Sequence, residues 1–314
     1  MTDPRTPFRI LSLDGGGAKG FYTLGVLTEL EAMLGVPLCE SFDLIFGTST
    51  GAIIASLLAL GRSVAEITDL YTAHVPRVMC LKRREDKSRA LKDLSVQVFG
   101  VTKFGEAKTG LGIVATRWLQ ERPMIFKQSV AQAHGSKATF SPGFGVLMGD
   151  AVQASCSAYP FFQRKTITTD TGDIVELVDG GYSANNPTLY AIADAVMALN
   201  VERSDIRVVS LGVGVYPQKP QPLFSLGRWQ KKLLSVQLLQ KTLEINTQSM
   251  DTLRKVLFRD IETVRVSDTF EKPDMATDLF EHDLKKLNIL RQRGRDSFSK
   301  YETDLQNCLR VDAD

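Results

Sequence analysis

Cysteine is scarce in this chain. The four present (Cys39, Cys80, Cys156 and Cys308) form no CxxC pair. That spacing excludes a disulfide frame or a zinc knuckle and fits buried thiols in a reducing compartment. Histidine is scarcer still, with only His74, His134 and His282. No apolar run approaches the ~18 residues that a membrane-spanning helix needs. Neither sign of charge prevails: 38 Lys and Arg stand against 36 Asp and Glu. No global field therefore marks a nucleic-acid polymer as the partner. The first residues, MTDPRTPFRI, lack the basic-then-apolar profile of a signal peptide. There are no internal repeats and no low-complexity segments. What remains is a 314-residue chain, 43% hydrophobic and 24% charged. It has the make-up of a cytoplasmic globular protein with one large domain or two modest ones.

Two strand–glycine–helix units open the chain. Arg9 to Leu13 reads as a strand, followed by three glycines and a helix with Leu24, Leu27, Leu30 and Leu34 on one stripe, ending at Gly35. Phe42 to Phe46 reads as a buried strand that enters GTSTG and the helix AIIASLLAL. This repetition predicts an α/β fold with a mostly parallel sheet. Between Tyr71 and Ser141 the pattern is irregular, apart from a charged helix face in LKRREDKSRALKDL. Further on, IVELVD and IRVVSLGVGV read as strands, and TLYAIADAVMAL reads as a helix. Beyond Pro222 the chain turns to amphipathic helices with one short strand, ETVRV. The expected division is residues 8–215 as a catalytic domain and 216–314 as a helical extension packed on it.

Three motifs carry chemistry. GTSTG, Gly47 to Gly51, fits G-x-S-x-G between a strand and a helix, the context of a nucleophile elbow. Ser49 is the candidate nucleophile, and Gly47 and Gly51 permit the tight turn. DGGGAKG, Asp14 to Gly20, places three glycines at a helix start, where unpaired N–H groups converge. Such a nest holds either a phosphate or an oxyanion. The phosphate reading is that of actin-like-fold kinases, which carry a similar opening. The oxyanion reading assigns Gly15, Gly16 and Gly17 to Ser49, with Lys19 supporting the loop. DGGYSANNP supplies Asp179, a possible base, followed by Gly180 and Gly181. No metal-ligand cluster is visible, and no cofactor is called for.

The three motifs in this order resemble the patatin-like phospholipase family, whose pattern is D-G-G-G-x-[RK]-G, then G-x-S-x-G, then D-G-[GA]. QASCSAYPFF and VVSLGVG are similar to further family segments, so the resemblance covers roughly residues 8 to 215. Lys19 stands where many members carry Arg, which keeps the charge but loses the planar fork. The resemblance implies a three-layer α/β sandwich, a Ser49–Asp179 dyad without histidine, and hydrolysis of membrane glycerophospholipid esters. His282, in FEHDLKK, reads as a solvated residue on an amphipathic helix. For the acyl groove, the candidate walls are YPFF and VTKFGEAKTGLGI. A patatin domain with a helical extension also resembles bacterial anti-phage effectors switched on by cyclic nucleotides. That implies a cyclic di- or trinucleotide activator, peripheral contact with the inner membrane face and homo-oligomers. Lys231, Lys232, Lys241 and Arg254 are the candidate cations for such an activator. The rival readings are the actin-like kinase and a non-catalytic patatin-like scaffold.

Overall fold

The computed structural model describes residues 7–135, 140–217 and 228–310, and of residues 228–234 the main chain alone. β1 (Phe8–Leu13) leads through the glycines to α1 (Gly20–Leu34), which Gly35 ends in a left-handed cap. A short α2 (Leu38–Ser41) precedes β2 (Leu44–Thr48) and α3 (Thr50–Ala59). α4 (Val64–Met79) starts at a Ser63–Glu66 capping box, and α5 (Arg84–Phe99) carries the expected charged face. Then come β3 (Gly110–Arg117), β4 (Arg122–Lys127), α6 (Met148–Ser155), β5 (Lys165–Thr168) and β6 (Ile174–Asp179). After α7 (Gly181–Ala184) and α8 (Thr188–Ala193), β7 (Ile206–Leu211) returns to the sheet. The last elements are α9 (Arg228–Leu257), β8 (Glu262–Val266) and α10 (Leu284–Leu309).

The sheet runs β5-β6-β3-β2-β1-β7-β8, with β4 also paired to β3. β3, β2, β1, β7 and β8 are mutually parallel, while β4, β5 and β6 join antiparallel. Alternate strand residues feed the two faces, as the pleat requires. Leu11, Ile45, Ile113 and Val209 pack under α1 and α3 to α6, whereas Ile10, Leu44, Val114 and Val208 pack against Ala191, Ile192 and Ala195. The result is a three-layer α/β sandwich. The C-terminal segment contributes β8 to the sheet as well as helices to its surface.

Two readings shift. The strand expected at Phe42 to Phe46 runs instead from Leu44 to Thr48, because it continues into the elbow. β3 and β4 lie within the stretch that looked irregular. Gly110 and Gly112 hide β3 from a propensity reading; a methyl on Gly112 would stand 2.2 Å from the Phe46 ring, so this glycine seats a core aromatic.

α10 docks on α1 through main-chain contact. A methyl on Gly294 would stand 2.0 Å from the Tyr22 carbonyl oxygen. Gly294→Val is expected to lower stability by about 3 kcal/mol through overpacking. Urea unfolding checks this; a midpoint equal to wild type would show that the two helices separate without cost.

Candidate active site

Ser49 sits between β2 and α3 with φ 53° and ψ −120°, a strained conformation for a residue with a side chain. The turn is closed by near contact of main chains: a methyl on Gly47 would stand 2.3 Å from Gly51 O, and one on Gly51 2.3 Å from Leu13 O. Ser155 locks the elbow. Its Oγ accepts the Ser49 N–H at 2.8 Å and donates to Val114 O at 2.6 Å.

Asp179 ends β6, which sits antiparallel on β3 with Asp179 opposite Ala115. Ser49 Oγ donates to Asp179 Oδ2 at 2.7 Å, and the Gly181 N–H donates to Oδ1 at 2.8 Å. The Asp179 main chain is held by Ser157 O (3.0 Å, from its N–H) and by Thr116 Oγ1 (3.0 Å, to its carbonyl). Burial pushes the Asp179 carboxyl up to about 6, against the hydrogen bonds from Gly181 and Ser49. A carboxylate that titrates there is a far better base near neutral pH than a free aspartate.

The glycine loop divides its donors unequally. The Gly15 N–H is bonded to Asn185 O at 2.9 Å, so its expected place in an oxyanion hole is corrected: that donor is already used. The N–H groups of Gly16 and Gly17 make no hydrogen bond among the described residues, and both glycines line the Ser49 cleft. Gly17 has φ +57°, and a methyl there would meet Leu279 O at 2.5 Å. Lys19 is buried and lies outside the cleft lining; its N–H closes the loop onto Gly16 O at 3.2 Å. Burial pushes its ammonium down, opposed by Glu244, Asp278 and Asp14. It therefore shapes the loop rather than facing the cleft.

The C-terminal segment reaches this loop at several points, which sequence spacing could not reveal. Arg265 on β8 grips both carboxylate oxygens of Asp14, one at 2.9 Å. Leu279 O accepts the Ala18 N–H at 3.0 Å. Thr247 Oγ1, on α9, accepts from Asn185 Nδ2 at 2.7 Å, and that same Nδ2 donates to Gly15 O at 3.2 Å. Among the described residues, Asn185 Oδ1 is buried without a hydrogen-bond partner. A methyl on Gly15 would stand 2.4 Å from this oxygen and 3.3 Å from Ser49 Cβ, so the orphan acceptor is beside the elbow.

Ser49 and Asp179 open into an apolar cleft of about 700 Å3, counted out to its mouth. α4 and α5 supply Val78, Met79, Leu91 and Leu94, and the tail supplies Leu243 and Phe280. Of the expected walls, YPFF contributes Phe162. VTKFGEAKTGLGI does not line the cleft: its Phe104 is core, stacked on Phe126 at 6.2 Å. None of the three histidines lines this cleft. His134 contacts Asp194 at 2.7 Å, His74 lies on α4, and His282 is exposed just before α10 rather than on a helix. No group of His, Cys, Asp and Glu among the described residues could hold a metal ion. Among the same residues, no helix is long and apolar enough to cross a membrane.

A serine hydroxyl bonded to a buried carboxylate, on an α/β sheet and with no histidine lining their cleft, is the arrangement a dyad hydrolase uses. The sequence profile of the patatin-like phospholipases matches residues 11–192. The chain is 65% identical over 301 residues to the cUMP-AMP-activated phospholipase of Escherichia coli, covering 96% of this chain and 93% of that one. It is 29% identical to the cGAMP-activated phospholipase of Pseudomonas aeruginosa and 26% identical to that of Vibrio cholerae. Each of these two matches covers 65% of this chain, and 62% and 63% of the respective relative. The chain belongs to the patatin-like phospholipase family. It is an enzyme, and the kinase and scaffold readings fall away.

Proposed function

We propose that this protein is a latent serine lipid acyl hydrolase, cleaving membrane glycerophospholipid esters and released by a cyclic dinucleotide in antiviral defence. The observation that carries the chemistry is the 2.7 Å Ser49–Asp179 bond at an apolar cleft. Ser49 Oγ attacks the ester carbonyl carbon while Asp179 takes its proton. The N–H groups of Gly16 and Gly17 receive the oxyanion. Collapse breaks the ester C–O bond, and Asp179 returns the proton to the departing lysophospholipid oxygen. Water then attacks the acyl-Ser49 carbonyl, giving a proton to Asp179. Ser49 leaves with that proton, and the fatty acid is released.

The relatives' names support the activator reading, and so does the way the C-terminal segment grips the glycine loop. Arg254 is buried against Asp251 (3.0 Å), Lys241 is exposed, and the side chains of Lys231 and Lys232 lie outside the described residues. The enzyme would work from the cytoplasm as a peripheral protein at the inner membrane face, and the messenger could act by gathering copies of it. The test is phospholipid hydrolysis with and without a panel of cyclic di- and trinucleotides, at fixed protein and salt. Full activity unchanged by every nucleotide, with none bound in calorimetry, would leave a constitutive lipase.

A pH profile follows from Asp179. The base must be ionised, so kcat/KM is expected to fall below about pH 6 and level off above it. Asp14, pushed by burial to about 6 despite Arg265, titrates in the same range. A limb of slope one reports a single controlling carboxyl, and a slope near two reports both Asp179 and Asp14. A flat profile from pH 5 to 7 would contradict Asp179 as the base.

A further inference from the structure

The Ser49 cleft continues into a second one. An apolar cleft of about 430 Å3, counted out to its mouth, adjoins it and shares Ile53, Val75, Leu91 and Leu94 with it. Three helices pass from the first cleft to the second in the same order. At the start of α3, Ser49 and Thr50 line the first; Ile53 lines both, and Leu57 lines the second. α4 runs the other way: Val78 and Met79 line the first, Val75 lines both, and Leu70 and Tyr71 line the second. On α5, Leu91 and Leu94 line both, and Val98 and Phe99 line the second. The spacing is i, i+4, i+8 on α3 and i, i+3, i+7 on α5, so each helix turns one face to a single channel.

The second cleft has the chemistry of an alkyl chain and of little else. None of its lining residues carries a carboxylate, an ammonium or a guanidinium, so a phosphate or a charged headgroup would find no ion partner. Of its polar side chains, Tyr71 donates its hydroxyl proton to Thr50 O at 2.8 Å, and Ser95 donates to Gly149 O at 3.0 Å. The remaining one is His74, half-exposed on α4. Along the channel Ile53, Leu70, Val75, Leu94 and Val98 are each half-buried, which leaves apolar atoms facing water between α4 and α5. A chain of methylenes laid there completes their burial.

We propose that the second cleft is the distal acyl subsite. The acyl chain of the ester attacked by Ser49 runs along α3 and between α4 and α5, and its far methylenes lie against Leu57, Leu70, Val98 and Phe99. The proposal rests on the lipid acyl hydrolase reading above and is independent of how the enzyme is switched on. It makes chain length a determinant of specificity. Leu57 lies eight residues beyond Ser49, about 12 Å along the helix. A butyryl group on Ser49 stops short of it, whereas a dodecanoyl group reaches it. Each methylene that enters the channel leaves water, which is worth roughly a three- to fourfold gain in kcat/KM. Val98 and Leu70, on opposite helices of the distal end, therefore set how much of a long chain is accepted.

The test measures kcat/KM of the full-length protein, with cUMP-AMP present throughout, for the p-nitrophenyl esters from butyrate to dodecanoate, each below its micelle-forming concentration. Wild type is expected to prefer dodecanoate to butyrate by roughly 100-fold or more. Val98→Trp fills the distal end, and the dodecanoate-to-butyrate ratio should fall roughly 10-fold or more, the loss of two or more buried methylenes. Leu70→Phe narrows the same end from α4 and should shift the ratio in the same direction, which covers a Val98→Trp protein that fails to fold. Val101→Trp is the control: Val101 is exposed just beyond α5 and lines neither cleft, so the ratio should stay at the wild-type value. A wild type indifferent to chain length, or a wild-type ratio in both Val98→Trp and Leu70→Phe, would overturn the subsite and leave the hydrolase intact. A wild type that hydrolyses none of these esters and no phospholipid would remove the subsite together with the hydrolase reading.

Discussion

Ser49→Ala is expected to abolish phospholipid hydrolysis, lowering the rate by roughly 10⁴-fold or more, while the protein stays folded. The side-chain oxygen removed is the one that bonds to Asp179, and the elbow around it is held by other groups. The Ser49 main-chain N–H stays on Ser155, and Gly47 and Gly51 still allow the close main-chain approach. Alanine carries no penalty at φ 53° that serine does not already bear, so the melting midpoint should remain near wild type. The measurement is initial-rate hydrolysis beside thermal unfolding. Substantial activity in the folded variant would remove Ser49 from the reaction.

Asp179→Asn should be nearly as damaging, by roughly 10³- to 10⁴-fold. The amide keeps the shape of the carboxylate but has no basicity. The Gly181 N–H needs an acceptor, so the amide nitrogen turns to the Ser49 hydroxyl, where it donates and can take no proton. The control is the histidine set. His134 is engaged with Asp194, and His282 is exposed with Nδ1 3.2 Å from Phe280 O. His74→Ala, His134→Ala and His282→Ala should each keep most of the activity. A loss in His282→Ala equal to that in Ser49→Ala would show a triad in place of the dyad.

What could be read from the sequence was local. The glycines flanking Ser49 announce the elbow because only glycine tolerates main-chain oxygens 2.3 Å from where Cβ would be, and that demand falls at fixed spacing. The apolar run before Asp179 announces a buried carboxyl for a similarly local reason. What stayed hidden depends on distant partners. Nothing near Gly15 says that its N–H belongs to Asn185 O. Arg265, 251 residues from Asp14, looks like any charged residue in an alternating strand. β3 looked irregular because its glycines answer to the neighbouring strand, Gly112 to the Phe46 ring and Gly110 to Asp43 O and Leu44, rather than to strand propensity. The apolar wall of the cleft comes from Val75, Val78 and Met79, whose i, i+3, i+4 spacing on α4 looks the same whether it faces a core or a groove.

The most direct test of the account is active-site labelling with a fluorophosphonate probe, read by peptide mass spectrometry, alongside lysophospholipid release in the same sample. Both are measured with and without cUMP-AMP. The account predicts one labelled residue, Ser49, with loss of lysophospholipid release in step with the fraction labelled. Release that continues after full labelling of Ser49, or a label carried by another residue while Ser49 is untouched, would contradict it.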